Sequence, residues 1–273
     1  MRIDGQIAVV TGGGQGIGRA ICRALAANGA RVMVSDLDPA AAARVAAEIG
    51  GAAQVCDVTD PDQIAALVKA TEDQLGPVDI WISNAGFARG EPGGAASASD
   101  AHWQASWDVH VMAHLRAARL LIPGMQARGH GALVNVASAA GLLCQIGDAA
   151  YSATKHAAVS LAQSLAITHG DKGIHVAVVC PLFVATPLLG YDDDAPENTP
   201  NDRVILPADV AQALIDGLEQ DRFLILPHPE AGAYFQRRAA DTDRWIKGMS
   251  ALRRTVDNAV GDADDLTAIH RHI

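Results

Sequence analysis

Short aliphatic and β-branched runs recur along the chain at residues 7–10, 31–34, 54–56, 78–82, 132–136, 175–179 and 223–226, with polar or amphipathic stretches between them. Runs that stay apolar at successive positions suit strands buried on both faces. Between the first two, Ile17, Ile21, Ala24 and Leu25 fall at helical spacing, and Gly29 stands where a left-handed cap would close the helix. Asp60-Pro61 opens a later helix carried by Ile64, Leu67 and Val68, which Gly76-Pro77 ends. Strands alternating with helices predict an α/β fold, a doubly wound sheet of seven parallel strands with helices on both faces. Beyond residue 226 a Pro-His-Pro turn leads into residues 231–254, which read as a C-terminal helical extension. No repeat or linker interrupts the rhythm, so residues 1–255 are expected to form one domain, with residues 256–273 a polar tail. Residues 191–201, YDDDAPENTPN, are acidic and broken by proline, and predict a loop acting as a mobile lid.

Composition acts mainly by exclusion. With 49% hydrophobic and 19% charged residues the chain is globular rather than disordered. Its 31 acidic against 21 basic residues give a net charge of −10, which repels nucleic-acid phosphates and anionic lipid, so neither is expected as a partner. The most apolar stretch, 176–189, is interrupted by Pro181, Thr186 and Pro187 and is too short to span a bilayer. Cys22, Cys56, Cys144 and Cys180 form neither a C-x-x-C pair nor a disulfide framework, and the opening residues show no signal-peptide pattern; a cytoplasmic protein is expected.

Candidate chemistry begins where the first strand ends, at Thr11-Gly12-Gly13-Gly14-Gln15-Gly16-Ile17-Gly18. Glycines between a strand and a helix allow a tight turn, let backbone approach a pyrophosphate and leave helix N-terminal N–H groups to bind it. Asp36, ending the second strand, would accept hydrogen bonds from adenosine ribose hydroxyls and repel a 2′-phosphate, which favours NAD over NADP. The same aspartate could merely open the turn that follows it.

Tyr151 and Lys155 lie four apart in a helical pattern continued by Ala158, Leu161 and Leu165, hence on one face. A phenol titrates near ~10, and a neighbouring ammonium together with a cationic nicotinamide would favour the phenolate that a base requires. Ser138 follows the fifth strand, where a hydroxyl would face the crevice of such a sheet. A surface pair and a capping serine are the alternatives for these residues taken singly.

In combination the residues resemble the short-chain dehydrogenase/reductase family, in order from about Arg2 to Leu226. The resemblance implies a Rossmann-type fold, a nicotinamide cofactor and a catalytic Ser138, Tyr151 and Lys155. It places the pyrophosphate on Gly12, Gln15, Gly16, Ile17 and Gly18, adenine against Asp57 and Val58, and the centre of the cofactor site at Asn84-Ala85-Gly86. Pro181, Val184 and Thr186 would approach the nicotinamide end beside Tyr151 and Lys155. The family's usual Asn in the helix before the fifth strand is His110, expected to alter a proton-relay water rather than abolish it. His110 and His114 have a spacing that permits metal binding on a helix, yet no third ligand accompanies them, and no metal is expected. Leu182 replaces the usual glycine after Pro181. Ala140, Cys144, Leu182 and Phe183, with Leu142, Leu143, Ile146, Leu188 and Leu189, are expected near the substrate, which is then a largely apolar secondary alcohol or its ketone; no arginine cluster accompanies them. Two alternatives stand beside this reading: an NADPH-dependent ketoreductase or acyl-carrier-protein reductase, and a non-catalytic NAD(H)-binding regulator. By analogy with the family a homotetramer is expected.

Overall fold

The computed structural model describes residues 1–91, 93–194 and 203–260. The expected lid falls partly outside these residues, at 195–201, as does most of the expected tail, at 261–273. Seven parallel strands form one sheet in the order β3-β2-β1-β4-β5-β6-β7. They are β1 (Ile7–Thr11), β2 (Arg31–Asp36), β3 (Ala52–Val55), β4 (Ile80–Ser83), β5 (Gly131–Val136), β6 (Ile174–Val179) and β7 (Leu224–Ile225). The order reverses between β1 and β4, and a crevice opens at their carboxyl ends, where such sheets bind ligands.

Alternate residues of each strand serve opposite faces, which is why the runs are apolar throughout. Val10, Ile82 and Val134 pack with Ile21, Leu25 and Leu214 of helices α1 (Gly16–Ala27) and α8 (Pro207–Glu219). Val9, Trp81 and Leu133 face the other way, toward Leu67, Leu121 and Ala162 of α3 (Pro61–Gln74), α5 (Ala113–Arg128) and α7 (Ala149–His169). The remaining helices are α2 (Pro39–Ile49) beside β2, α4 (Asp100–Trp107), the short α6 (Ala140–Leu143), α9 (Glu230–Ala240) and α10 (Thr242–Val260). Between α4 and α5 the chain takes one wide π-helical turn, Asp108–Met112. The expected extension is two helices rather than one, because Asp241 leaves helical geometry and accepts the Arg244 N–H at 2.9 Å to start α10. That helix runs on through Val256, which is fully buried, to Val260. No described helix is long and apolar enough to cross a membrane.

Candidate active site

Thr11 ties the carboxyl ends of β1 and β4 together: its hydroxyl donates to the Ile82 carbonyl at 3.3 Å and accepts from the Asn84 and Ala85 N–H groups at 3.1 and 3.2 Å. The Asn84 amide returns the link, donating to the carbonyls of Thr11 and Gly12 at 3.0 Å each. The turn is thereby pressed against β4, with no room for side chains. A Cβ at Gly12, whose φ is +62°, would stand 2.9 Å from the Ala85 Cα, and one at Gly18 would stand 1.9 Å from the Gly12 carbonyl oxygen. Gly14 donates its N–H to the Asp36 carboxylate at 2.8 Å. Gly16, first residue of α1, donates to Asp193 at 2.8 Å, so a carboxylate already stands on the helix N-terminus. Arg19 holds that carboxylate at 3.2 Å and Asp194 at 2.8 Å.

A cleft of about 350 Å³ runs from this turn past Asp36, Asp57 and Val58 on one side and Asn84, Ala85 and Gly86 on the other, to Tyr151 and Lys155. Gln15, Ile17 and Thr186 also line it. An anion-accepting helix start, a turn that only glycine fits and a carboxylate at the end of β2 suit an adenine dinucleotide. Pro181 and Val184 lie beyond it, lining a smaller pocket of about 120 Å³ together with Ser138, Ala140, Tyr151, Leu182 and Phe183. Cys144 does not join them: its backbone has φ +82°, it is exposed, and Gln145 lines the pocket in its place.

Tyr151 and Lys155 are held by the start of α7. Asp148 caps that helix by accepting the Tyr151 N–H at 2.8 Å, while its second oxygen accepts from Arg89 and Gly90 at 3.1 and 3.2 Å. Glu91, also buried, accepts the Ala150 N–H at 3.0 Å. The Asp148 cap is legible as an acid just before a helical pattern; Glu91 carries no local signal. The Tyr151 phenol hydrogen-bonds Ser138, which opposes the dominant effect of burial; the phenol is pushed up to about 12. Lys155 donates to the Val136 carbonyl at 3.0 Å, with its nitrogen 5.4 Å from the Tyr151 ring centre. Burial pushes the ammonium down to about 8. Desolvation thus outweighs the Ser138 hydrogen bond, and the phenolate stabilisation expected from Lys155 is not among the effects that act on the phenol.

His110 sits in the π-helical turn, fully buried, with its ring edge-on to Tyr151 at 5.5 Å. Its Nε2 accepts the Phe87 N–H at 3.3 Å, which leaves the proton on Nδ1 to donate to the Thr154 hydroxyl at 2.9 Å; that hydroxyl donates to the Ala150 carbonyl at 2.8 Å. Burial first, and Lys155 second, push the imidazole down to about 2, so it is neutral. Both ring nitrogens have protein partners, and the side chain therefore binds Phe87 and Thr154 rather than the water expected from the sequence. Buried His114 is pushed down to about 3. Among the described residues no group of three His, Cys, Asp or Glu has a metal-holding arrangement. His228, from the Pro-His-Pro turn, is a residue the sequence reading passed over. It accepts the Leu182 N–H at 3.1 Å and donates toward the Phe183 and Arg203 carbonyls at 3.1 and 3.2 Å, fixing one wall of the smaller pocket.

The family model described as short chain dehydrogenase matches residues 6–196. The galactitol 2-dehydrogenase (L-tagatose-forming) of Cereibacter sphaeroides is 36% identical over 226 residues, 78% of this chain and 88% of that protein. The cyclohexanol dehydrogenase of Acinetobacter sp. (strain SE19) is 32% identical over 227 residues, 81% of this chain and 90% of its own. Among solved structures, a short chain dehydrogenase/reductase from Burkholderia phymatum in complex with NAD matches with a TM-score of 0.79 at 30% identity, covering 89% of this chain and 96% of that one.

Proposed function

The chain belongs to the short-chain dehydrogenase/reductase family of oxidoreductases, and from that premise we propose that it interconverts an apolar secondary alcohol and its ketone with NAD as cofactor, using Ser138, Tyr151 and Lys155. The observation that carries this reading is that Tyr151 of α7 lines both the long cleft and the smaller pocket, with Lys155 beside it in the cleft and Ser138, just after β5, beside it in the pocket. When bound, the nicotinamide supplies a hydride acceptor and, in its oxidised form, a positive charge.

Ser138 donates a hydrogen bond to the substrate oxygen and fixes the carbinol carbon. Tyr151 holds the proton at its phenol oxygen, giving it to a ketone oxygen in reduction and taking it from the hydroxyl in oxidation. Lys155, retained by the Val136 carbonyl, sits where its charge stabilises the phenolate once a second positive charge is present. His110 is a positioning residue: its neutral ring keeps Phe87 and the Tyr151 turn of α7 in register through Thr154. Asp36 selects NAD by its charge.

The test is NADH formation, followed by absorbance, from NAD⁺ and a panel of apolar secondary alcohols. Turnover of at least one supports the reading. A panel without turnover by protein that binds NADH overturns the substrate class and favours a non-catalytic NAD(H)-binding regulator.

A further inference from the structure

The helices after β7 do more than extend the chain. Arg238 of α9 donates to the Leu142 carbonyl and to the His156 ring at 3.1 Å, pinning the α9–α10 hairpin over the catalytic end of the molecule. Beneath the hairpin lies a cavity of about 710 Å³, twice the size of the cofactor cleft and within the range that buries a drug-sized ligand. It continues from the catalytic pocket, because Gln145, Leu182 and Phe183 line both. Trp245, Met249 and Leu252 form one stripe of α10 along it, and Leu143, Ile146 and Tyr234 face them. From Arg244 to Leu252 that helical wall is ~12 Å long at 1.5 Å per residue.

The lining of this apolar channel also carries arginines. Arg203, Arg237 and Arg244 are among its lining residues, together with Asp241, which accepts the backbone N–H of Arg244. Arg237 lies over the Tyr234 ring at 5.5 Å, and among the described residues neither it nor Arg244 has a carboxylate within ion-pair distance. Two guanidinium groups without an ion-pair partner among the described residues, Arg237 and Arg244, on one apolar cavity of a chain with net charge −10, favour an anionic ligand there. Arg237 and Arg244 come from the two terminal helices, far in sequence from the catalytic residues.

We propose that this cavity receives the far, carboxylate-bearing end of the substrate. The preferred substrates are amphipathic hydroxy acids or oxo acids, with an apolar body between the reacting carbon and the anionic group. The proposal rests on the alcohol–ketone reading and refines its substrate class. Arginine suits this task because its planar fork pairs both oxygens of a carboxylate, and the apolar wall excludes the water that would weaken the pair.

Two measurements separate this inference from its premise. In calorimetric titrations, straight-chain carboxylates from hexanoate to dodecanoate and their methyl esters are compared on wild type and on the Arg237→Gln/Arg244→Gln double variant. At least one acid is expected to bind ~10-fold more tightly than its ester, a preference the double variant loses. In turnover assays the ratio of kcat/KM for a hydroxy acid over its methyl ester is expected to fall by a similar factor in the variant, through KM. Equal binding of acid and ester by wild type, or a preference that survives the double substitution, overturns the proposal even when alcohols are turned over. Acid-selective, arginine-dependent binding without turnover of any alcohol keeps the anion site and removes the catalytic premise. Circular dichroism of the variant establishes that α9 and α10 remain folded.

Discussion

Asp36→Asn isolates one charge at the mouth of the cofactor cleft. The carboxylate accepts N–H groups from Gly14 at 2.8 Å and from Asp38 at 3.1 Å. An asparagine oxygen can keep the shorter of these, so the turn should hold while the charge disappears. A unit charge ~5 Å from a 2′-phosphate charge is worth about 3 kcal/mol at an effective dielectric of about 20. Partial exposure and salt reduce that to about 1–2 kcal/mol. Loss of a charge-assisted bond to the ribose hydroxyls weakens NAD by about 1 kcal/mol more. Together these shift the NAD-to-NADP ratio of kcat/KM by roughly 2–3 kcal/mol, a ~30- to 150-fold change toward NADP. Arg44 of α2, which donates to the Gly14 carbonyl at 3.0 Å, stands near enough to the turn to assist a 2′-phosphate once the repulsion is gone. The assay is steady-state turnover with each cofactor at saturating alcohol. A ratio unchanged by Asp36→Asn, or a wild type that uses NADP as well as NAD, refutes the assignment of selectivity to this carboxylate.

Other consequences follow from charges the structure places. Asp193 occupies the Gly16 N–H that a pyrophosphate would need, so Asp193→Asn is expected to tighten NADH binding ~3- to 10-fold by fluorescence titration; an unchanged or weaker affinity contradicts this. His110 and His114 are held neutral, with folded values of about 2 and 3 against an ordinary 6.5. The unfolded chain therefore binds the extra protons, so stability is complete above the ordinary value and is lost as pH falls below it. Each such imidazole costs about 1 kcal/mol per pH unit in that window, and because burial also lowers His175 and His228, His114→Leu should make the slope measured by denaturant unfolding shallower by about that amount; an unaltered slope would show that other groups govern it. With the phenol at about 12, Tyr151 carries its proton at neutral pH. Alcohol oxidation should accelerate and ketone reduction slow as pH rises from about 7 to about 10, and an oxidation rate that falls over that range would exclude the phenol as proton acceptor.

The parts of the site legible in the sequence are those built from near neighbours. The glycine turn, the Asp36 that follows β2 and the i, i+4 pairing of Tyr151 with Lys155 each depend on a short stretch with a fixed geometry. The strands were legible for a similar reason, since burial on both faces writes a continuous apolar run. Their edges were not: β3 occupies Ala52–Val55 rather than 54–56, because its pairing with Met33–Asp36 of β2 sets its limits. What escaped the sequence reading depends on contacts between distant segments. Glu91 reaches Ala150, His228 reaches Leu182, and Arg238 reaches Leu142, all without a local pattern. The family resemblance puts Cys144 near the substrate, yet a left-handed backbone turns the chain there and exposes it. His110 was legible as a departure from the family's pattern, but its role followed only from the Phe87 and Thr154 contacts that settle its protonation.

The most direct test of the central claim is to measure turnover and NADH affinity in the same preparations of wild type and Tyr151→Phe. Phenylalanine keeps the ring beside His110 and Lys155 and removes only the oxygen that holds the proton. The account predicts that Tyr151→Phe binds NADH within a few-fold of wild type while kcat drops ~10²- to 10⁴-fold, as expected when a positioned proton donor is removed. A variant that turns over alcohol at a rate comparable to wild type would contradict the assignment of Tyr151, and with it the mechanism.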